Sequence, residues 1–184
     1  MRLIRSWPLH VPDGRHYVVD DIERLVIDNC DYNTLGDIDD DVLLLEWDIA
    51  VSREDLVTFA AQAQADPSRV LVGPYRIYYP TLPEPIWAHR HWGGEPKGMV
   101  GPVGTEPVST GDPHCNLFGL GMIYLPRKAI RGFLRTKFAN HFGDLEFSMY
   151  HYANLSQDVP ICWDVRPVHL HYRTPTFAKE SIDG

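Results

Sequence analysis

The sequence contains no long hydrophobic run and no cysteine motif typical of disulfide-bonded or metal-binding proteins. No apolar segment approaches the length of a membrane span, and the first residues, MRLIRSWPLHVPDG, have neither the apolar core nor the cleavage site of a secretory signal. Its three cysteines, Cys30, Cys115 and Cys162, are odd in number and far apart. This is neither a disulfide framework nor a metal-knuckle spacing. We therefore expect a cytoplasmic protein without a membrane span.

The sequence is also short of positive charge. Its formal net charge is −8, so the basic excess typical of a duplex-binding surface is absent globally. One local basic series has helical spacing, and its ordinary interpretation is a solvated helix face; it consists of Arg127, Lys128, Arg131, Arg135 and Lys137. With 184 residues, 44% hydrophobic and 23% charged, the chain is expected to form a single globular domain over residues 1–184.

Apolar patterns predict strands and helices in alternation over the first half of the chain. The spacing of apolar residues predicts a helix over about 19–30, and the run VLLLEWD, at 42–48, predicts a strand covered on both faces. A second helix is expected in SREDLVTFAAQAQA, where Ser52 and Asp55 have capping-box spacing. RVLVGPYRIYYP predicts a strand pair interrupted at Gly73. This alternation predicts an α/β domain with a mostly parallel sheet.

The second half is mixed in character. Seven prolines between Pro80 and Pro113 predict an irregular lid or substrate-binding loop over about 80–113. Beyond it, the sequence predicts a strand, a Gly-x-Gly turn and a helix beginning near Pro126. A short helix is expected from Asp144, and the segments ICWDV and PVHLHY are expected to be strands.

The strand at 42–48 ends in two acids, Glu46 and Asp48. Residues two apart on a strand point to the same side, and paired carboxylates can hold a hard divalent cation while leaving positions open for phosphate oxygens. His169 and His171 likewise share one face of the last predicted strand, and imidazole is a good ligand for borderline metals. Short acidic pairs are also common strand caps, and a lone strand histidine is more often structural.

The segment DDDVLLLEWDIAVSREDL resembles the metal-binding segment of glycosyltransferases with the GT-A fold, in a small version similar to family 2. In those enzymes an apolar strand ends in a D-x-D-like motif and runs into a helix. FGLGMIYLPRKAI, GDLEFSMYHY and PVHLHY follow in the order that the resemblance requires. The first acid departs from the pattern, because it is Glu46 where the motif has Asp, and the region before it is unusually short.

The resemblance implies a GT-A-like three-layer α/β/α sandwich with a mostly parallel mixed sheet. It also implies sugar transfer from a nucleotide-diphosphate donor to a hydroxyl, with inversion and with Mn2+ or Mg2+ held by Asp48 and one of His169 and His171, assisted by Glu46. Asp144, and after it Glu146, would be the catalytic base. The remaining expected contacts are to the donor, by Asp39, Glu46, Arg76 and Arg90, and to the acceptor side, by Gly119 and Gly121. The acceptor is open: a saccharide, a protein or a hydroxylated DNA base.

Two other functions compete with this one. His89, His91 and Glu95 have the H-x-H-x3-E spacing of a cupin metal site, which would indicate a metal-dependent oxygenase or isomerase. The second half of the cupin signature is missing, since His114 fits poorly, and the predicted helices do not suit an all-β barrel. The third candidate is a non-catalytic nucleotide-binding module.

Overall fold

The computed structural model describes residues 1–6, 26–27, 35, 38–46, 48–79, 81–93, 105–135 and 144–169, without the side chains of 2–6, 26–27 and 144. The strands in these ranges are β1 (Arg2–Ser6), β2 (Val26–Ile27), β3 (Val42–Glu46), β4 (Ile49–Ala50), β5 (Leu71–Val72), β6 (Arg76–Ile77), β7 (Ile86–Trp87), β8 (Arg90–Trp92), β9 (Thr105–Pro107), β10 (His114–Cys115), β11 (Met122–Leu125), β12 (Val159–Pro160) and β13 (Val168–His169). The helices are α1 (Arg53–Ala65), α2 (Arg127–Leu134) and α3 (Asp144–Asn154).

The largest sheet has five strands in the order β2-β1-β3-β11-β5. In this sheet β1 pairs in parallel with β2 and β3, whereas β11 runs antiparallel between β3 and β5. The other pairs are β10 with β12, β13 with β4, β6 with β7, and β8 with β9, and all four are two-stranded and antiparallel. The described chain therefore consists mainly of small antiparallel sheets around a mixed one.

The predicted GT-A-like three-layer sandwich with a mostly parallel sheet is wrong. No large parallel sheet occurs within the described ranges, and most of the pairings there are antiparallel. The physical reason is non-local pairing: β11 runs antiparallel between β3 and β5, and β13 runs antiparallel to β4, although these partners lie far apart in sequence. The pairs β6–β7 and β8–β9 add antiparallel partners that lie close together in sequence. The alternation of strands and helices in the first half does not continue into the second.

The continuous apolar run of β3 is buried on both faces, as predicted. Val42 and Leu44 belong to a core cluster that includes Phe133 of α2 and Phe147 of α3. Leu43 and Leu45 belong to a second cluster, whose other members include Leu56, Phe59, Tyr75 and Met122. Alternate side chains of a strand point to opposite faces, so β3 joins the two clusters and fixes where its carboxyl end lies.

Local sequence patterns correctly predicted the positions of most helices and several strands. The helix beginning after Ser52 is confirmed: the Ser52 side chain accepts the N–H of Asp55 at 3.0 Å, which caps α1. The helix expected over about 19–30 is wrong at Val26 and Ile27, which pair with β1 as a strand because non-local strand pairing overrides local helical spacing; the other residues of that range lie outside the described part. The strand expected at ICWDV lies slightly earlier, at Val159–Pro160.

The proline-rich segment 80–113 is more regular than expected where it is described. It carries β7, β8 and β9, and the main-chain N–H of Arg90 donates to the carbonyl oxygen of Leu117 at 2.8 Å. Residues 94–104 lie outside the described part. In the described ranges, no helix combines the length and the apolar character needed to cross a membrane.

Candidate active site at the end of the central sheet

Asp48 and His169 meet beyond the carboxyl end of β3. The antiparallel pairing of β4 with β13 places His169 opposite Ile49, one residue after Asp48. The Asp48 Oδ2 and His169 Nε2 atoms lie 3.3 Å apart, and the two side chains are only 7% and 11% exposed. The sequence reasoning had assigned both residues to one metal site, and the fold brings them together from opposite ends of the chain.

The two atoms lie at the distance of an ion pair, and this separation is also compatible with two neighbouring ligands of one divalent cation. Ligand atoms about 2.1 Å from a common ion, at roughly 90–110° to each other, lie roughly 3.0–3.4 Å apart, which includes the separation of these two atoms. Carboxylate oxygen and imidazole nitrogen together suit Mn2+ or a similar borderline ion. The described part of the chain contains no group of three or more His, Cys, Asp and Glu residues that could hold a metal ion.

Tyr75 lies against this pair. Its ring is nearly parallel to that of His169, with centroids 5.8 Å apart and planes 14° apart. The Tyr75 hydroxyl oxygen accepts the N–H of Gly121 at 3.2 Å. A Cβ at Gly119 would lie 2.0 Å from this hydroxyl oxygen, and one at Gly121 would lie 2.7 Å from the ring. The two glycines, predicted to contact the acceptor, thus form the slot that holds Tyr75.

A cavity of about 430 Å³ opens beside His169 and Tyr75. The Arg76 guanidinium lies 4.5 Å from the ring centroid of Trp87, and the Trp87 and Trp163 rings meet edge to face at 5.1 Å. Both of these tryptophans line the cavity, and so do Arg76 and Arg166. A concave site with aromatic walls, two guanidinium groups and a candidate metal pair at its edge has the features of a small-molecule site.

Glu46 and Asp39, which the sequence also predicted as ligands, lie near opposite ends of β3. Glu46 ends β3, is partly buried, and donates its main-chain N–H to the carbonyl oxygen of Gly121 at 2.8 Å. Asp39 precedes the other end of β3 and forms ion pairs with Arg127 and Arg131. The structure therefore assigns Asp39 a link to α2, at the end of the strand remote from Asp48. Its predicted contact with the donor stays a prediction.

Arg90 and His171 are the remaining residues that the sequence predicted as ligands. Arg90 lies on β8, and its main-chain groups bond to Asn116 and Leu117. It is not one of the residues that line the cavity beside His169, in contrast to Arg76. His171 lies outside the described residues, so of the two predicted histidine ligands only His169 has a known position.

The predicted base lies on a helix that is attached to the glycine slot. Asp144 begins α3 as predicted, although its side chain lies outside the described part, and Glu146 is partly buried one half-turn later. Ser148 of the same helix is buried and bonds to both main-chain groups of Phe118. Because Phe118 immediately precedes Gly119, α3 and the slot for Tyr75 form one connected unit.

The histidines of the competing cupin motif have unlike environments. His91 is on the surface, and its Nε2 lies 2.9 Å from Asp112 Oδ2. His89 is fully buried, its ring meets that of Tyr75 edge to face at 5.3 Å, and neither ring nitrogen has a hydrogen-bond partner within the described ranges. Burial lowers the pKa of His89 to about 3, so the ring is neutral at physiological pH. The third residue of the motif, Glu95, lies outside the described part.

Sequence reasoning missed Tyr75, Trp87, Trp163 and Arg166. Each stands in a short segment without a recognisable motif, and aromatic residues at such positions usually indicate core. Only the pairing of β6 with β7, and the position of residues 163–167 before β13, brings them to one cavity. No local signal could have found them.

Comparison with known proteins identifies a structural neighbour. No protein-family model matches the chain, and no curated protein matches it. Among solved structures, the chain is similar to the crystal structure of A197 from STIV, with a TM-score of 0.51 and 16% sequence identity, over 91% of this chain and 83% of that one. A likeness at this identity shows a related fold alone, and the neighbour's name states no activity. Function is therefore argued from the residues of the site.

Proposed function

We propose that this protein is a metal-dependent glycosyltransferase that transfers a sugar from a nucleotide-diphosphate donor to an acceptor hydroxyl. The observation that carries the proposal is the close approach of Asp48 Oδ2 and His169 Nε2, together with the position of His169 in the wall of a cavity that Arg76 and Arg166 also line. Asp48 and His169 would hold a Mn2+ or Mg2+ ion, assisted by Glu46 at the end of β3. A bound divalent cation supplies Lewis-acid stabilisation of the negative charge on the leaving diphosphate.

The cavity accounts for the rest of the donor. Arg76 and Arg166 line it, and guanidinium groups bind phosphate oxygens through paired, charge-assisted hydrogen bonds. Trp87 and Trp163 offer aromatic surface within the same cavity, and nucleobases stack on such surfaces. The donor diphosphate would thus bind near these arginines and His169, which line the same cavity.

A carboxylate of α3 accepts the proton of the acceptor hydroxyl. General-base catalysis needs a carboxylate within hydrogen-bond reach of the attacking hydroxyl, and α3 carries two acids in its first turn, Asp144 and Glu146. Ser148 holds this helix to Phe118 and so to the glycine slot. Direct displacement of the diphosphate by the activated hydroxyl would invert the configuration at the sugar carbon. The acceptor is a saccharide, a protein side chain or a hydroxylated DNA base.

The test is donor binding and turnover with a panel of nucleotides. UDP, GDP, CDP, ADP and dTDP are each combined with Mn2+ or with EDTA, and the melting temperature is recorded. A nucleotide at about 100 times its dissociation constant adds roughly 2.7 kcal/mol of stability, which is several degrees for a chain of this size. We expect one nucleotide to act, only with metal. The sugar form of that nucleotide is then assayed for metal-dependent hydrolysis and for transfer to the three acceptor classes.

Two variants and a control make the test specific to the proposed metal pair. Asp48→Asn and His169→Gln should abolish both the metal-dependent shift and turnover. His91→Gln removes the surface partner of Asp112, which is another His–Asp contact, and should leave both unchanged. A nucleotide shift that persists in EDTA or in Asp48→Asn would contradict the proposal. Binding without turnover of any donor would favour the non-catalytic nucleotide-binding module, and a shift with Fe2+ alone that depends on His89 would favour the cupin activity.

A further inference from the structure

We infer that Tyr75 is a positioning residue that orients His169 for metal binding, and that Gly119 and Gly121 serve the site by leaving room for its ring. This inference rests on the proposed function, since it assigns His169 to a metal. It gives the Gly-x-Gly turn an indirect role in the site, in place of the direct substrate contact that its sequence pattern indicates.

His169 is the last residue of β13 and of the described part of the chain. The strand β13 has two residues, and its pairing with β4 is correspondingly short. A ligating imidazole must present its nitrogen in the right direction, and neighbouring groups usually supply that orientation. Here the nearly parallel Tyr75 ring lies against the imidazole in an offset stack, with centroids 5.8 Å apart. The ring plane is thereby restricted, which leaves Nε2 directed at Asp48.

Tyr75 can orient its neighbour because it is itself fixed at several points. It is almost fully buried. Its hydroxyl accepts the N–H of Gly121, and its main-chain carbonyl oxygen accepts the N–H of Ala88 at 3.1 Å. The edge of its ring meets the imidazole of His89.

The glycines limit where the tyrosine ring can lie. A side chain at Gly119 would overlap the hydroxyl, and one at Gly121 would overlap the ring and also approach the Ile49 side chain within 2.9 Å. Real Cβ atoms do not make such contacts with buried neighbours, so any larger residue must displace Tyr75. The same Gly121 carbonyl oxygen accepts the N–H of Glu46, so the slot is fixed to the end of β3.

The experiment measures Mn2+ affinity directly, by the loss of the free-ion signal in electron paramagnetic resonance, on folded full-length protein. Tyr75→Leu removes the ring that faces His169 and should weaken Mn2+ binding about ten- to a hundredfold, which is the usual effect of losing a group that orients a ligand. Tyr75→Phe keeps the ring and should bind Mn2+ nearly as the parent protein does. Gly121→Ala displaces the ring and should weaken binding as Tyr75→Leu does.

The chain offers a matched control. Tyr150 is also buried and also lies against a glycine, because a Cβ at Gly132 would be 2.0 Å from its hydroxyl oxygen. It packs on Phe133 and Phe147 and is not among the residues that line the cavity beside His169. Tyr150→Leu and Gly132→Ala should therefore lower the urea midpoint without changing Mn2+ affinity.

The outcomes separate this inference from the proposed function. If the parent protein binds Mn2+, Asp48→Asn abolishes binding and Tyr75→Leu binds as the parent does, Tyr75 has no positioning role and the metal pair stands. If Tyr150→Leu weakens binding as much as Tyr75→Leu, the effect is general loss of stability and the inference is overturned. If the parent protein does not bind Mn2+, or Asp48→Asn binds it equally well, both the metal pair and the inference are wrong.

Discussion

Ser148 Oγ accepts the N–H of Phe118 at 3.2 Å and donates to the carbonyl oxygen of the same residue at 3.1 Å. One hydroxyl on α3 thus satisfies both main-chain groups of a residue in the loop before β11. All of these groups are buried, since Ser148 and Phe118 are each 1% exposed. The contact connects the helix that carries Asp144 and Glu146 to the loop that forms the slot for Tyr75.

Ser148→Ala should lower the free energy of unfolding by about 1–3 kcal/mol, because it leaves buried main-chain groups without partners. Urea unfolding monitored by circular dichroism measures this. Ser68→Ala is the control: Ser68 is exposed and bonds only to Asp66 in the described structure, so its loss should change stability by less than about 0.5 kcal/mol. Equal effects of the two substitutions would contradict a special role for the Ser148 contact.

Phe59→Ala should destabilise the protein by about 3–5 kcal/mol, since it empties a fully buried position between α1 and the central sheet. Val57, on the same helix, is 62% exposed. Val57→Ala should therefore lie within about 0.5 kcal/mol of the parent protein. Equilibrium unfolding of both variants provides the comparison, and a small effect at Phe59 would show that the packing of α1 is not as described.

Two buried histidines should make the fold sensitive to acid. Burial lowers the pKa of His89 to about 3, and it lowers the pKa of His151 to about 4 despite the hydrogen bond between His151 Nδ1 and the carbonyl oxygen of Ser156. Both values lie below the ordinary 6.5, so the unfolded chain binds these protons more readily. The stability they contribute is complete above pH 6.5 and is lost as the pH falls from 6.5 toward 4, at up to roughly 1.4 kcal/mol per pH unit for each histidine.

His89→Leu tests this dependence. The substitution removes a titrating group whose ring nitrogens have no hydrogen-bond partner among the described residues, so it should reduce the loss of stability between pH 6.5 and 5 and should cost little at pH 7.5. Val108→Ala, which alters a neighbour whose N–H donates to the His89 carbonyl oxygen, should lower stability equally at every pH. Urea midpoints across the pH range give the measurement. An unchanged pH profile for His89→Leu would show that His89 is not buried in its neutral form.

If the proposed function is correct, Arg76→Gln should weaken binding of the proposed nucleotide-diphosphate donor roughly ten- to a hundredfold, because a hydrogen bond to a charged group contributes about 1.5–3 kcal/mol. The reason is its position beside Trp87 in the wall of the cavity. Donor KM and nucleotide titration provide the measurement. Arg53→Gln, at the start of α1 outside the cavity, is the matched loss of one exposed arginine and should bind the donor as the parent does. The assignment of Arg76 fails if both substitutions act alike.

The sequence by itself determined the local elements. The four apolar residues of VLLL predict a buried strand, and Ser52 before an amphipathic segment predicts the start of α1, because burial on two faces and capping depend only on nearby residues. The same reasoning located the start of α3 at Asp144. It also selected Asp48 and His169 as candidate ligands, since carboxylate and imidazole at strand ends suit a metal wherever they lie.

Only the tertiary structure decided how these elements combine. The antiparallel insertion of β11 between β3 and β5, and the pairing of Val26–Ile27 with β1, depend on hydrogen bonds between residues far apart in sequence. Those non-local pairings outweigh local spacing, which is why the predicted parallel sheet is wrong. The equally non-local pairing of β4 with β13 brings His169 within 3.3 Å of Asp48, and Tyr75 lies against the two glycines. The Gly-x-Gly turn, which the sequence predicted as a substrate contact, forms a slot for Tyr75. Local sequence could not reveal this, because Tyr75 lies 46 positions before Gly121 in the chain.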